Sequence, residues 1–204
     1  LDMPMFRAID ATSRKLRHNR EIRAVIVQGN GEDFCSGLDV KSIMQDRSSM
    51  LSLLFKWLPG RPNLAQRVSV NWRRIPAPVF MVMQGRCWGG GLQIALGADF
   101  RFVHRDASLS IMEGKWGLIP DMGGNLVLRE IIKKDDALRL TMTAEVIDAN
   151  KALAMGLVTH VSDSPLESAL ELAEEINSRS PDAVAGVKKL FHKTWTGPDW
   201  LMLA

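Results

Sequence analysis

Cysteine is scarce in this chain: only Cys35 and Cys87 occur in 204 residues. Two thiols are too few for a disulfide framework and point to a reducing compartment. Histidine is thin as well. His18, His104, His160 and His192 are scattered without ligand spacing, so no metal site is expected. No apolar run approaches the roughly 20 residues needed to span a bilayer, so no membrane partner is expected either. A strong charge imbalance is also missing. The net charge is +3 with both signs interspersed, which does not suit nucleic acid as a partner. What remains is a composition 46% hydrophobic and 24% charged, that of one α/β domain with a sizeable core.

The chain opens at Leu1-Asp2-Met3-Pro4 with a helical pattern already under way, so a segment before residue 1 is expected to be missing. Cytoplasmic placement is expected, with an organellar matrix as the alternative. Met5, Phe6, Ile9 and Leu16 recur near helical spacing and predict a helix over 4–17. The run 24–27 reads as a buried strand ended by Gly29-Asn30-Gly31. A polar stretch around Asp46 to Ser49 leads into an apolar helix over 51–58, broken at Pro59-Gly60. Further strands are expected over 78–83, 100–103 and 109–112, with a helix over 92–96 and a turn at 120–124. Ser164-Pro165-Leu166-Glu167 is a helix start with Ser as cap and Glu reaching back. Leu166, Ala169, Leu170, Ala173 and Ile176 then make one apolar stripe. Short strands alternating with helices imply an α/β fold.

Three segments carry the chemistry. They are Phe34-Cys35-Ser36-Gly37-Leu38-Asp39, Gly85-Arg86-Cys87-Trp88-Gly89-Gly90-Gly91-Leu92-Gln93, and the stretch from Met112-Glu113 through Pro120-Asp121 to Gly124. The glycine run alone is ambiguous: it can cradle a phosphate, bind another anion through free amides, or permit a tight turn. It matches neither a Walker A loop nor a spaced GxGxxG.

Together and in this order, the segments resemble the crotonase superfamily, the enoyl-CoA hydratases and isomerases. The resemblance runs from about residue 1 to 195 and includes Ala77-Pro78 and the stretch Ala149 to Val158. It implies a spiral of ββα units, with C-terminal helices that mediate a homotrimer or homohexamer. Residues 1–204 then form a single crotonase-like domain, with a spiral core over about 1–160 lacking its N-terminal strands and a C-terminal helical region over about 161–204. It also implies an acyl-CoA substrate, with coenzyme A part of that substrate and no separate cofactor. The backbone amides of Ser36 and Gly90 become the oxyanion donors, with Gly37, Leu38, Asp39, Gly89 and Gly91 lining the substrate.

In such a site charge gathers on the thioester oxygen as an enolate forms, and losing one amide donor typically costs about 2.7–4 kcal/mol of barrier. Hydratases of the family carry glutamates at the positions of Gln93 and Glu113. Here the first is an amide, which can orient a water but cannot exchange a proton near neutral pH. Dienoyl-CoA isomerases carry acids at the positions of Gln93, Glu113 and Asp121, of which two are present. A single carboxylate at the Glu113 position can move a proton between carbons two and four, so isomerisation is the expected activity. Glu113 is the expected shuttle, Asp121 an auxiliary acid or orienter, and Gln93 a holder of substrate or water. Conventional hydration and a non-catalytic acyl-CoA-binding homologue are the alternatives. Plainer readings also stand: Ser36 and Gly90 as turn residues, Asp121 as a helix cap, Glu113 as an ion-pair partner of Lys115 or an arginine, and Cys35 as a packed thiol. Lys188, Lys189 and Lys193 read as the solvated face of an amphipathic helix, with CoA phosphates as an alternative partner.

Overall fold

The computed structural model describes residues 1–39, 53–56, 58, 60–198 and 200. The polar stretch around Asp46 and part of the expected helix over 51–58 lie outside these residues. Helix α1 (Met3–His18) starts where Asp2 accepts the Met5 N–H at 2.9 Å, with Pro4 in the first turn. Lys15, Arg17 and His18 close its last turn, where cations suit the exposed carbonyls. Its inner face buries Phe6, Asp10 and Ser13. The buried Asp10 carboxylate is satisfied by Arg14 at 2.7 Å, Arg67 at 3.0 Å and Asn71 at 3.0 Å. Those bonds fasten α1 to α2 (Leu64–Val70), which opens on a reciprocal cap between Asn63 and Gln66.

Three successive turns of chain then repeat one pattern. Strand β1 (Val25–Gln28) leads to a bridge at Cys35 and on to α2. Next come β2 (Val79–Met83), β3 (Arg86–Trp88) and α3 (Gly90–Leu96). The third turn is β4 (Phe100–His104), β5 (Ser108–Ser110), a 3₁₀ turn over Met112–Trp116 and α4 (Gly124–Ile131). After α5 (Lys134–Thr143) come β6 (Ile147–Asp148), α6 (Ala149–Ala154) and β7 (His160–Ser162). The first strand of each turn enters a parallel sheet ordered β1-β2-β4-β7, with Val25 beside Val79 and Phe80 beside Phe100. The second strand enters a smaller sheet, β3-β5-β6, and Cys35 adds a parallel bridge to Cys87. This is the α/β spiral of ββα units expected from the sequence.

Period-2 alternation divides the core. Val79, Met81 and Met83 of β2 face the main cluster with Leu92, Leu96 and Leu109. Phe80 and Val82 face the other way, against Phe102 and against Ala169 and Ala173 of α7 (Pro165–Asn177). The expected stripe on α7 needs correction. Leu166 and Leu170 are exposed, while Leu172 and Ile176 pack beside the two buried alanines. Ser164 stands at the N-cap position, but its side chain makes no capping bond. Instead Ser162 Oγ accepts the Ser164 N–H at 3.0 Å.

The last described helix, α8 (Pro181–Thr194), carries a second correction. Lys188 does not belong to a solvated face: its side chain is 8% exposed and pairs with Asp99 at 2.6 Å. It also donates to the carbonyls of Trp72 and Ala77, and His192 meets the other Asp99 oxygen at 2.9 Å. Burial alone would raise the Asp99 carboxyl, but His192 and Lys188 outweigh it and hold the group below its ordinary value.

Candidate active site

The site forms where neighbouring strands of the smaller sheet end. Cys35 and Cys87 are register partners: the Cys35 N–H donates to Arg86 O at 3.0 Å, and the Trp88 N–H donates to Cys35 O at 2.9 Å. Adjacent strands run about 4.8 Å apart, so the chain leaves the sheet side by side at Ser36 and at Gly89–Gly90. The loop before Cys35 is pinned to β3 as well. Asp33 accepts the Arg86 backbone N–H at 2.7 Å and its guanidinium Nε–H at 2.8 Å.

The glycines of this corner answer to packing. A Cβ on Gly91 would lie 2.6 Å from both Cys35 Cβ and Cys35 O, closer than side-chain carbons approach, so only glycine fits. Gly89 has φ +52 and Gly37 φ +114, both left-handed. Cys35 is half-buried against Gly91, a packed thiol as its setting suggested. Gly90 opens the seven-residue α3 and is itself buried. Among the described residues neither the Ser36 nor the Gly90 amide hydrogen meets a protein acceptor. Leu38 packs against the main core. Asp39 donates its N–H to Leu1 O at 2.9 Å, while Gly37 O accepts from the Leu1 amine at 2.7 Å. Leu1 thereby lies over the corner, with its Cδ1 3.1 Å from where a Gly90 Cβ would stand.

Glu113 reaches the same corner from the 3₁₀ turn after β5. Its Oε1 lies 3.6 Å from the position of a Gly89 Cβ, so the carboxyl sits beside the peptide that carries the Gly90 amide. Oε1 accepts Gln93 Nε2–H at 2.6 Å, whereas Oε2 is buried and meets no partner among the described residues. Burial lifts the Glu113 carboxyl above its ordinary value; the Gln93 bond and the nearby N–H of Glu113 itself oppose the rise, and the charge of Asp121 adds to it. Among the described residues Glu113 enters no ion pair, which sets aside its reading as a partner of Lys115.

Two sequence readings change here. Asp121 is exposed and caps nothing: Gly123, with φ +93, is the N-cap of α4, and no side chain bonds there. Gln93 is 1% exposed, and both polar atoms of its side chain meet protein groups. Its Oε1 accepts the N–H groups of Met122 at 2.9 Å and Gly124 at 3.3 Å, which ties α3 to the turn before α4. This link, and the packing of Gly114 under Thr141 O, escaped the sequence reading because both join segments distant along the chain. Trp116, Leu118 and Ile119, which follow Glu113 along the chain, are exposed apolar side chains.

A corner with two unpaired amides and one buried acid suits chemistry that places negative charge on a carbonyl oxygen and moves a proton nearby. A family profile described as Enoyl-CoA hydratase/isomerase matches residues 5–200. Carnitinyl-CoA dehydratase of Citrobacter koseri is 30% identical over 205 residues, covering 95% of this chain and 76% of that protein. The Salmonella typhi protein of the same name is 31% identical with the same coverage. Among solved structures, an enoyl-CoA hydratase from Bacillus anthracis superposes with a TM-score of 0.87 at 26% identity, over 100% of this chain and 77% of the other. One from Polaromonas sp. JS666 gives 0.84 at 27% identity, over 97% of this chain and 76% of the other. The chain belongs to the enoyl-CoA hydratase/isomerase family, the crotonase superfamily of enzymes.

Proposed function

We infer that the reaction is double-bond migration in an enoyl- or dienoyl-CoA thioester. The observation that carries this reading is the pairing at Glu113: one buried carboxyl with one unpartnered oxygen, beside an amide where a second acid would otherwise stand. Glu113 takes a proton from carbon two of a 3-enoyl thioester. The electron pair spreads to the thioester oxygen, where the amides of Ser36 and Gly90 receive the charge. The same carboxyl then returns the proton to carbon four, giving the 2-enoyl thioester. One base suffices, and no group beyond the thioester is called for. The field of Asp121 helps keep Glu113 ready to hold a proton between the two steps.

Hydration is the second reading, favoured by the relatives named dehydratase and hydratase. Incubation with a 3-enoyl-CoA and a 2-enoyl-CoA separates the two. Migration is expected, with hydration at least about tenfold slower, because an amide at position 93 supplies no second proton carrier. Rapid hydration without migration would overturn the preference. Acyl-CoA binding that is unchanged in Glu113→Gln, with no turnover of either substrate, would instead identify a binding homologue.

A further inference from the structure

Both polar atoms of the Gln93 side chain are engaged inside the protein. Its Oε1 takes two backbone N–H bonds, and only the oxygen of an amide can do so. The NH₂ group is therefore turned toward Glu113, and the bond at 2.6 Å has a single chemical sense. The turn leading into α4 closes on the same side chain, since a Gly124 Cβ would stand 3.1 Å from Gln93 Cγ. The amide is thus clamped at one end and holds a carboxyl oxygen at the other. The second carboxyl oxygen, Oε2, is buried and unpartnered among the described residues. Such an orphan is costly unless a ligand meets it.

We propose that Gln93 is a positioning residue that holds Oε1 of Glu113, dedicates Oε2 to proton transfer, and confines the site to one exchangeable acid. The proposal deepens the shuttle reading and rests on it. A carboxyl that returns a proton two carbons from where it took it gains from presenting one oxygen in one orientation. A glutamate at position 93 would put two carboxylates 2.6 Å apart at this contact. Two such groups cannot both ionise freely, so they would share a proton and titrate as a pair. The amide is then what sets migration apart from addition of water. Asp121 is the charged side chain whose field reaches Glu113, and Lys115 stands exposed on the same 3₁₀ turn.

The test is the pH profile of kcat/KM for 3-enoyl-CoA migration in the wild-type chain, Gln93→Met, Gln93→Glu and Glu113→Gln, with thermal melts of each. Turnover needs ionised Glu113, so the profile has an acid limb. Gln93→Met removes a bond that favours the ionised form: the limb should move to higher pH and kcat fall about tenfold or more, with KM little changed. Gln93→Glu keeps acceptors for the Met122 and Gly124 N–H groups and so keeps the fold, and its limb should rise by about one unit or more. It should also gain hydration relative to migration. A loss of packing alone would lower the melt without moving the limb. If Glu113→Gln abolishes turnover while both Gln93 variants keep the wild-type limb and kcat, the positioning role is wrong and the shuttle survives. If Glu113→Gln turns over normally, the shuttle fails and the positioning role falls with it. Should Gln93→Met not fold, the limb of Gln93→Glu decides.

Discussion

Glu113 and Asp121 are both acidic and both were candidates, yet their surroundings separate them. Glu113 is buried enough for its carboxyl to hold a proton above the usual range, while Asp121 is exposed and acts on it through space. Glu113→Gln should lower migration by about 10²- to 10⁴-fold, the usual contribution of a proton-transfer group, as read in a steady-state assay. The same shift has a stability consequence. As pH rises, the unfolded chain loses this proton before the folded one does, so the folded state binds more protons in that window. Stability contributed by this group is full below the unfolded value and is lost as pH rises through the folded one. Glu113→Gln should therefore become more stable relative to wild type from acid toward neutral pH, as chemical denaturation at several pH values would show. A constant difference would contradict the burial assigned here.

At the scale of elements, two junctions carry the arrangement. The start of α3 is wedged against Cys35 with no room for a methyl group at Gly91. Gly91→Ala should cost about 1–3 kcal/mol by overpacking and also lower turnover, because the displaced elements are those that bear the Ser36 and Gly90 amides. A methyl group added at Gly186 of α8 would meet nothing within 4 Å, so that position serves as the control. Gly186→Ala should be neutral or stabilise by up to about 1 kcal/mol through helix propensity. The second junction is the docking of α8 through Lys188 and His192 onto Asp99, whose side chain is 14% exposed. Lys188→Met leaves that carboxylate buried with one cation fewer and should cost about 3–5 kcal/mol. Limited proteolysis would register it as early cleavage near α8. Because Asp99 is held below its ordinary value, its contribution is present at neutral pH and is lost as pH falls through the folded value. The helix start at Ser164 was legible in the sequence, but the burial of Lys188 was not. Its partner lies 89 positions earlier, and nothing in the spacing of Lys188, Lys189 and Lys193 marks which one turns inward.

For the whole molecule, the C-terminal helix leaves Val187, Leu190, Phe191 and Trp195 exposed, with Phe191 stacked on Trp195 at 5.2 Å between ring centroids. The family resemblance makes a homotrimer or hexamer the expectation to test: sedimentation velocity should report three or six times the 22.7 kDa of this chain. A monomer at micromolar concentration would count against that assembly. The sequence determined the α/β class, the family, the strands β1, β2 and β4, and the co-linear placement of Ser36, Gly90 and Glu113. It could do so because apolar runs and glycine-rich turns are local signals, and because three motifs in fixed order are rarely met by chance. Tertiary structure alone decided that β3 and β5 lie side by side, that Gln93 faces Glu113 and the Met122 amide, and that Asp121 caps nothing. These depend on where segments meet after the chain has wound on itself. Pairing across 20 or more residues is set by packing and hydrogen-bond satisfaction, which leave no periodic trace in the order of amino acids.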